Sequence, residues 1–266
     1  MDPLVTPIAE KTGSALLNLL PDVYRDVAQP GVKQLGRALE TVLGLGNTLL
    51  WPAMWLNGAA QIALEKNLER LRKRMTEVPV EKIVAPAPEV AVPILDKFAY
   101  ITDPDLASMF VELLTRASTE DHQSIAHPAF VRIIESMAPD EARLLRDLES
   151  NHAPYAALWS YRQTQLARAP LPNFAMSNSS NLNLDARGNV LVYLEHLESL
   201  GLISVQKDYT LTNQQEAYNT LRDDLVASLE GVVVLENEER ITFDAGAVLL
   251  TSLGSMFIAA TTPAAT

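Results

Sequence analysis

The sequence predicts a mainly α protein, an N-terminal helical array followed by a smaller α/β module. Two observations carry this expectation. Through residue 150 the apolar residues recur at three- and four-residue spacing between prolines, the pattern of short helices that each bury one face. Aromatic and β-branched runs of strand length enter only after it. With 266 residues, 48% of them hydrophobic, the chain has the apolar content for a sizeable core.

The first third is written in helical signals. Pro7 opens a run through Leu20, Pro21 suits the first position of a second helix, and Gln29-Pro30-Gly31 breaks before a third that runs long from Val32. Charges vanish after Glu40 and return at Glu65, where Leu64, Leu68, Leu71 and Met75 fall at helical spacing. Glu69 stands four residues before Lys73 in the favourable order, and the basic run Arg70 to Arg74 reads as a solvated helix end. The prolines from Pro79 to Pro88 cannot continue a helix, so the main boundary is placed there, between regions 1–78 and 79–150.

The second region reads as a compact helical array. One helix is expected over Ala91 to Ile101. Asp103-Pro104 supplies an N-cap and first-turn pair for the next, whose face carries Leu106, Met109, Phe110, Leu113 and Leu114. His127-Pro128 starts a helix through Met137, and Ala138-Pro139-Asp140-Glu141 starts one through Leu148.

Region 151–266 mixes strands and helices. A strand is expected over Ala153 to Thr164, a polar loop at Ser177 to Asn181, and a helix from Asn189 to Leu200 stopped by Gly201. Short strands follow at Leu202 to Val205 and Tyr209 to Leu211, then a helix from Gln214 to Leu229. A hairpin pairs Val232–Leu235 with Arg240–Phe243, and Thr251 or Ser252 caps a last helix. Two helices, Asp140 to Leu148 and Val190 to Leu200, followed by the strand pair 202–211 make this module winged-helix-like.

Charge and composition exclude several functions. A net charge of -12 disfavours nucleic acid, because binding phosphates requires clustered cations, and the helix Asn189 to Leu200 carries Glu195 and Glu198 with no Lys or Arg. Cys is absent, which removes thiolate nucleophiles and Cys-held metals. Gly44-Leu45-Gly46 lacks the third glycine of a phosphate loop, and no Gly-x-Ser-x-Gly elbow occurs. His122 and His127 stand five apart across a loop, which is not the spacing of a helical ligand pair, and His127 before Pro128 reads as a polar capping group rather than a metal ligand. The neighbouring carboxylates Asp223-Asp224 and Glu238-Glu239 read as solvated charge. No catalytic residue, cofactor or metal is expected. The N-terminus lacks the basic start of a signal peptide, so a cytoplasmic protein is expected, with inner-membrane association as the variant.

That variant comes from the charge-free stretch Thr41 to Leu64, which as one helix would extend about 36 Å, enough to cross a hydrocarbon core. Asn47, Asn57 and Gln61 would need partners in lipid, and Pro52 interrupts the helix near its middle. Two readings follow. In one, the stretch is a buried helix or helix pair, packed in the array or against a second copy of the chain. In the other it inserts conditionally into a membrane. Leu49, Leu50, Trp51, Trp55 and Leu56 would then enter the interface, and Arg70, Arg72, Lys73 and Arg74 would meet anionic headgroups.

Two stretches resemble the abortive-infection alpha (Abi-alpha) family of bacterial proteins. The first runs from Val84 to Leu148, through Pro93-Ile94-Leu95, Asp103-Pro104-Asp105-Leu106, Phe110-Val111-Glu112-Leu113-Leu114, His127-Pro128-Ala129-Phe130 and Met137-Ala138-Pro139-Asp140-Glu141-Ala142. The second is Leu250-Thr251-Ser252-Leu253-Gly254-Ser255-Met256-Phe257. The resemblance implies phage defence in which an infected cell is stopped before the phage matures, with an unknown protein or phage component as trigger. It transfers no catalytic residue. The competing readings are a winged-helix regulator or adaptor, and a hydrolase whose residues converge only in space.

Overall fold

The computed structural model describes residues 36, 58–150, 155–163, 168–176, 182–207, 209–229 and 240–263. The expected helices before residue 58, most of the charge-free stretch (41–57), the polar loop 177–181 and the strand Val232 to Leu235 lie outside these residues. The architecture is mainly α with a C-terminal α/β module. Two compact units divide the chain, Met1–Met137 with Ala259–Thr266 and Ala138–Ile258. The division falls at residue 137, not at the proline-rich stretch or after residue 150.

The first unit contains four described helices: α1 (Gly58–Met75), α2 (Pro88–Lys97), α3 (Pro104–Ala117) and α4 (Ala129–Ser136). Helix α3 is its centre, with Leu106, Phe110, Leu113 and Leu114 buried together with most of its other residues, and α1, α2 and α4 pack on it. Burial of Phe98, Phe110 and Phe130 stabilises this core by about 1.5–3 kcal/mol per side chain. Asp103 caps α3 as its sequence promised: one carboxylate oxygen accepts from the amides of Asp105 and Leu106, both at 3.0 Å.

The proline-rich stretch does not separate domains because its backbone is pinned to the end of α3. The amide of Val84 donates to the Ser118 carbonyl at 3.0 Å, and that of Glu120 to the Lys82 carbonyl at 2.9 Å. Ile83 is buried beside this pairing. Helix α2 begins at Pro88, three residues before the expected start, since a proline at the first helical position gives up a donor that has no partner there anyway.

The second unit opens with α5 (Pro139–Ser150) and continues through β1 (Tyr155–Gln163), β2 (Arg168–Met176), α6 (Val190–Ser199), β3 (Ile203–Gln206), α7 (Gln215–Leu229) and β4 (Arg240–Leu250). Its sheet has the order β2-β1-β4-β3, and every neighbouring pair is antiparallel. Strand β2 was not expected. Pro170 and Pro172 hide it from propensity, and the same prolines suit it to the sheet edge, where missing donors cost no ladder bonds.

The other correction concerns the two-strand wing. Residues Tyr209 to Leu211 form no strand, and Ile203–Gln206 pairs with Leu250–Ala247 of β4. The reason is local. Gly201 adopts φ 73°, and the amides of Gly201 and Leu202 close onto the carbonyls of Glu198 and Leu197 in a Schellman turn that aims the chain into β3. The 209–211 segment is instead held by Tyr218, whose hydroxyl accepts from the Leu211 amide at 3.2 Å and donates to the Gly246 carbonyl at 3.0 Å.

A last helix, α8 (Ser252–Thr261), follows β4 and contains the division between the units. Thr251 caps it, its hydroxyl oxygen accepting from the Gly254 amide at 2.9 Å while donating to the Gly201 carbonyl at 2.6 Å.

Candidate functional site

Of the nine residues singled out for membrane or helix contact, Leu49, Leu50, Trp51, Trp55 and Leu56 lie outside the described residues. Arg70, Arg72, Lys73 and Arg74 lie on the second half of α1. Here the structure shows commitments that sequence spacing did not. Arg72 is gripped by Glu69 through two hydrogen bonds at 2.6 and 2.7 Å, so Glu69 prefers its i+3 neighbour to Lys73, which stands 3.9 Å away and 72% exposed. The Arg72 guanidinium beside it holds the Glu69 carboxyl below its usual range, against the burial that would raise it. Arg70 donates to the Asn67 side-chain oxygen at 2.8 Å.

Arg74 turns inward. Its Nε and Nη2 reach the two carboxylate oxygens of Glu112 on α3 at 2.6 and 3.0 Å, and Arg116 completes a triad, its Nε 2.9 Å from Glu112 Oε1. Glu112 is 1% exposed, and the two cations supply the pairing that a buried carboxylate needs. Its carboxylate in turn keeps the Arg74 guanidinium more firmly protonated than usual, against burial that opposes the charge. Asn67 on the same α1 face is also 1% exposed, and its amide nitrogen donates to the carbonyls of Phe98 and Ile101 at 2.9 and 3.0 Å. It thereby satisfies backbone acceptors beyond the end of α2. The first two turns of α1 contrast with this. Gly58 to Leu64 carries no charge, and Ile62 is 68% exposed.

A second polar cluster gathers at the start of α5 in the other unit. Glu141 places Oε2 2.7 Å from the Ala138 amide, the reciprocal half of a capping box, and Oε1 2.8 Å from Nδ1 of His196 on α6. Asp140 accepts from the amides of Asp185 and Ala186, both at 2.9 Å, and from Arg143 at 2.8 Å. Burial pushes the Asp140 carboxyl upward. The two amides, with Arg143 and the Tyr193 hydroxyl, more than offset this and hold it below its ordinary 3.8. The sequence marks only the helix start here, because the contacts to Asp185, Ala186 and His196 span 45 to 55 residues.

Some of the residues weighed for chemistry have a described place. His127 Nδ1 accepts from the Ala129 amide at 3.1 Å, a cap on α4, and its ring lies against Phe130 with centroids 5.8 Å apart. Asp223 and Asp224 are exposed on α7. His152 and Glu238-Glu239 lie outside the described residues. Among the described residues no three His, Asp or Glu side chains are grouped to hold a metal ion, and no helix is long and apolar enough to cross a membrane.

The stretches that carry the family resemblance do framework work. Asp103, His127, Glu141 and Thr251 cap helices, and Phe110, Phe130 and Phe257 are buried. Gly254 is required by a close approach, since a Cβ there would lie 2.0 Å from the Leu202 carbonyl oxygen.

Comparison with known proteins agrees with this framework. The family model described as abortive infection alpha matches residues 60–261. No curated protein matches the chain. Among solved structures, an uncharacterized protein from the hydrocarbon-degrading marine bacterium Alcanivorax borkumensis SK2 is similar at 20% identity, over 53% of this chain and 94% of that one. The TM-score between the two is 0.34.

Proposed function

Because this chain belongs to the abortive infection alpha family, we propose that it is a bacterial anti-phage defence protein that acts through contact with protein or membrane rather than by catalysing a reaction. In this reading the C-terminal α/β module receives a phage-derived signal or partner, and the N-terminal helices act through the charge-free stretch Thr41 to Leu64. Family membership is the observation that carries the defence role. The contact mode is supported by the polar clusters among the described residues. The Glu112 triad joins α1 to α3, and the Asp140–Glu141 cluster ties α5 to the 185–186 turn and to α6, so both have structural duties.

The test is infection of a phage-sensitive bacterium expressing the chain. At low phage-to-cell ratio the culture is expected to survive, and at high ratio infected cells are expected to die without releasing phage. Normal phage yield from every phage tried would overturn the defence role.

A further inference from the structure

We propose that Arg74 and Arg116 compete for the Glu112 carboxylate and that the C-terminal end of α8 decides the outcome, so that α1 is held to α3 by Arg74 only while that end is seated. The device belongs to the first unit and does not depend on the defence role.

The two guanidinium groups share one oxygen: Arg74 Nη2 and Arg116 Nε lie 3.0 and 2.9 Å from Glu112 Oε1. Arg74 has the better hold, with a further bond from Nε to Oε2 at 2.6 Å. Nε of Arg116 is at charge-pair distance but has no hydrogen-bonded partner among the described residues. A second commitment keeps Arg116 from turning fully onto the carboxylate. Its Nη2 donates to the Thr262 carbonyl at 3.4 Å, just past the end of α8, where a helix presents unpaired carbonyls and the negative end of its dipole. Ala260, Thr261 and Thr262 are buried, so this end is seated. Arg74 already has another carboxylate in reach, since its Nη1 donates to the exposed Glu77 at 2.5 Å.

These contacts define two arrangements of the same groups. Lifting the end of α8 frees Arg116, whose planar fork then takes both Glu112 oxygens, and Arg74 withdraws to Glu77. Glu112 keeps a cation either way, so neither arrangement leaves a bare carboxylate in the core, which is the condition for a discrete exchange. In the second arrangement α1 retains the Asn67 bonds to the Phe98 and Ile101 carbonyls but loses its charged link to α3 beside the buried Leu71 and Met75. Helix α8 begins in the second unit and its last residues, from Ala259, belong to the first.

Hydrogen exchange in the full chain at neutral pH tests the competition, with the amides of residues 259–261 as the probe and those of α4 as the reference. Arg74→Gln removes one competitor and leaves α8 itself unaltered. Arg116 is then expected to turn onto the vacated oxygen, and the end of α8 to exchange about fivefold faster or more, by the reciprocity of coupled sites. With Arg116→Gln already in place, adding Arg74→Gln should change this exchange by less than about twofold, because the connecting group is gone. Exchange in α4 should stay within about twofold of wild type throughout, since the rest of the unit remains folded. If Arg74→Gln does not fold, Arg74→Lys, which keeps the charge without the fork, carries the same prediction with a smaller rise. Unchanged exchange at 259–261 would overturn the proposal. So would a rise of equal size with and without Arg116, or one matched by α4.

Discussion

Glu112 shows how one residue can govern a helical array. A carboxylate at the centre of a buried face is tolerated because Arg74 and Arg116 converge on it, and truncating it would remove the buried carboxylate the two guanidinium groups share, leaving Arg74 with the exposed Glu77. Glu112→Ala is therefore expected to lower the unfolding free energy by about 3–5 kcal/mol, whereas exposed Lys73→Ala should change it by no more than about 0.5 kcal/mol. Urea midpoints measure both, and equal effects would contradict the triad's role. Asp140 makes a second prediction, in pH. Its folded-state carboxyl titrates below its ordinary 3.8, so the stabilisation is fully present above that value and is lost as pH falls through the lower folded value. Stability followed from neutral pH down to about pH 3 should fall less steeply in Asp140→Asn than in the wild type. Only the local halves of these sites, Glu112 with Arg116 and Asp140 with Arg143, stand at helical spacing in the sequence. Glu112 sits 38 residues from Arg74, and neither spacing nor helical periodicity links residues on different helices.

Among the elements, the helices were the most legible part, because their ends are written in local chemistry. Asp103-Pro104, His127-Pro128 and Thr251 each cap the helix their sequence announced, and Gly201 stops α6 at the position its left-handed φ requires. Strands were less legible, since their partners are remote. The β3 sequence gave no clue that its partner would be β4 rather than 209–211, and β2 was masked by its own prolines. Gly254 gives this scale its prediction. Helix α8 crosses the start of β3 so closely that the Leu202 carbonyl occupies the space of a side chain, and the neighbour is backbone that cannot swing aside. Gly254→Ala should destabilise by about 1–3 kcal/mol, while Gly188→Ala, with nothing within 4 Å of its added Cβ, should be neutral or slightly stabilising. Thermal unfolding of the two variants side by side is the check. Equal melting temperatures would show that α8 can move away from β3.

For the whole molecule, composition and patterning gave the fold class, and the family came from the resemblance of two stretches, but the compact units could not be read from linkers. The proline-rich stretch looked like a boundary and is instead bonded to the end of α3, while the division at residue 137 falls in a tight turn between two short helices. The central claim is that this family member defends by contact and not by chemistry. The sharpest test is the phage burst from single-round infection of cells expressing wild type, Leu50→Asp or His196→Gln, each shown to accumulate as folded protein. The account predicts that wild type and His196→Gln both suppress the burst and that Leu50→Asp restores it. Suppression that survives Leu50→Asp but disappears with His196→Gln would contradict the account and point to the His196–Glu141 pair as reactive chemistry.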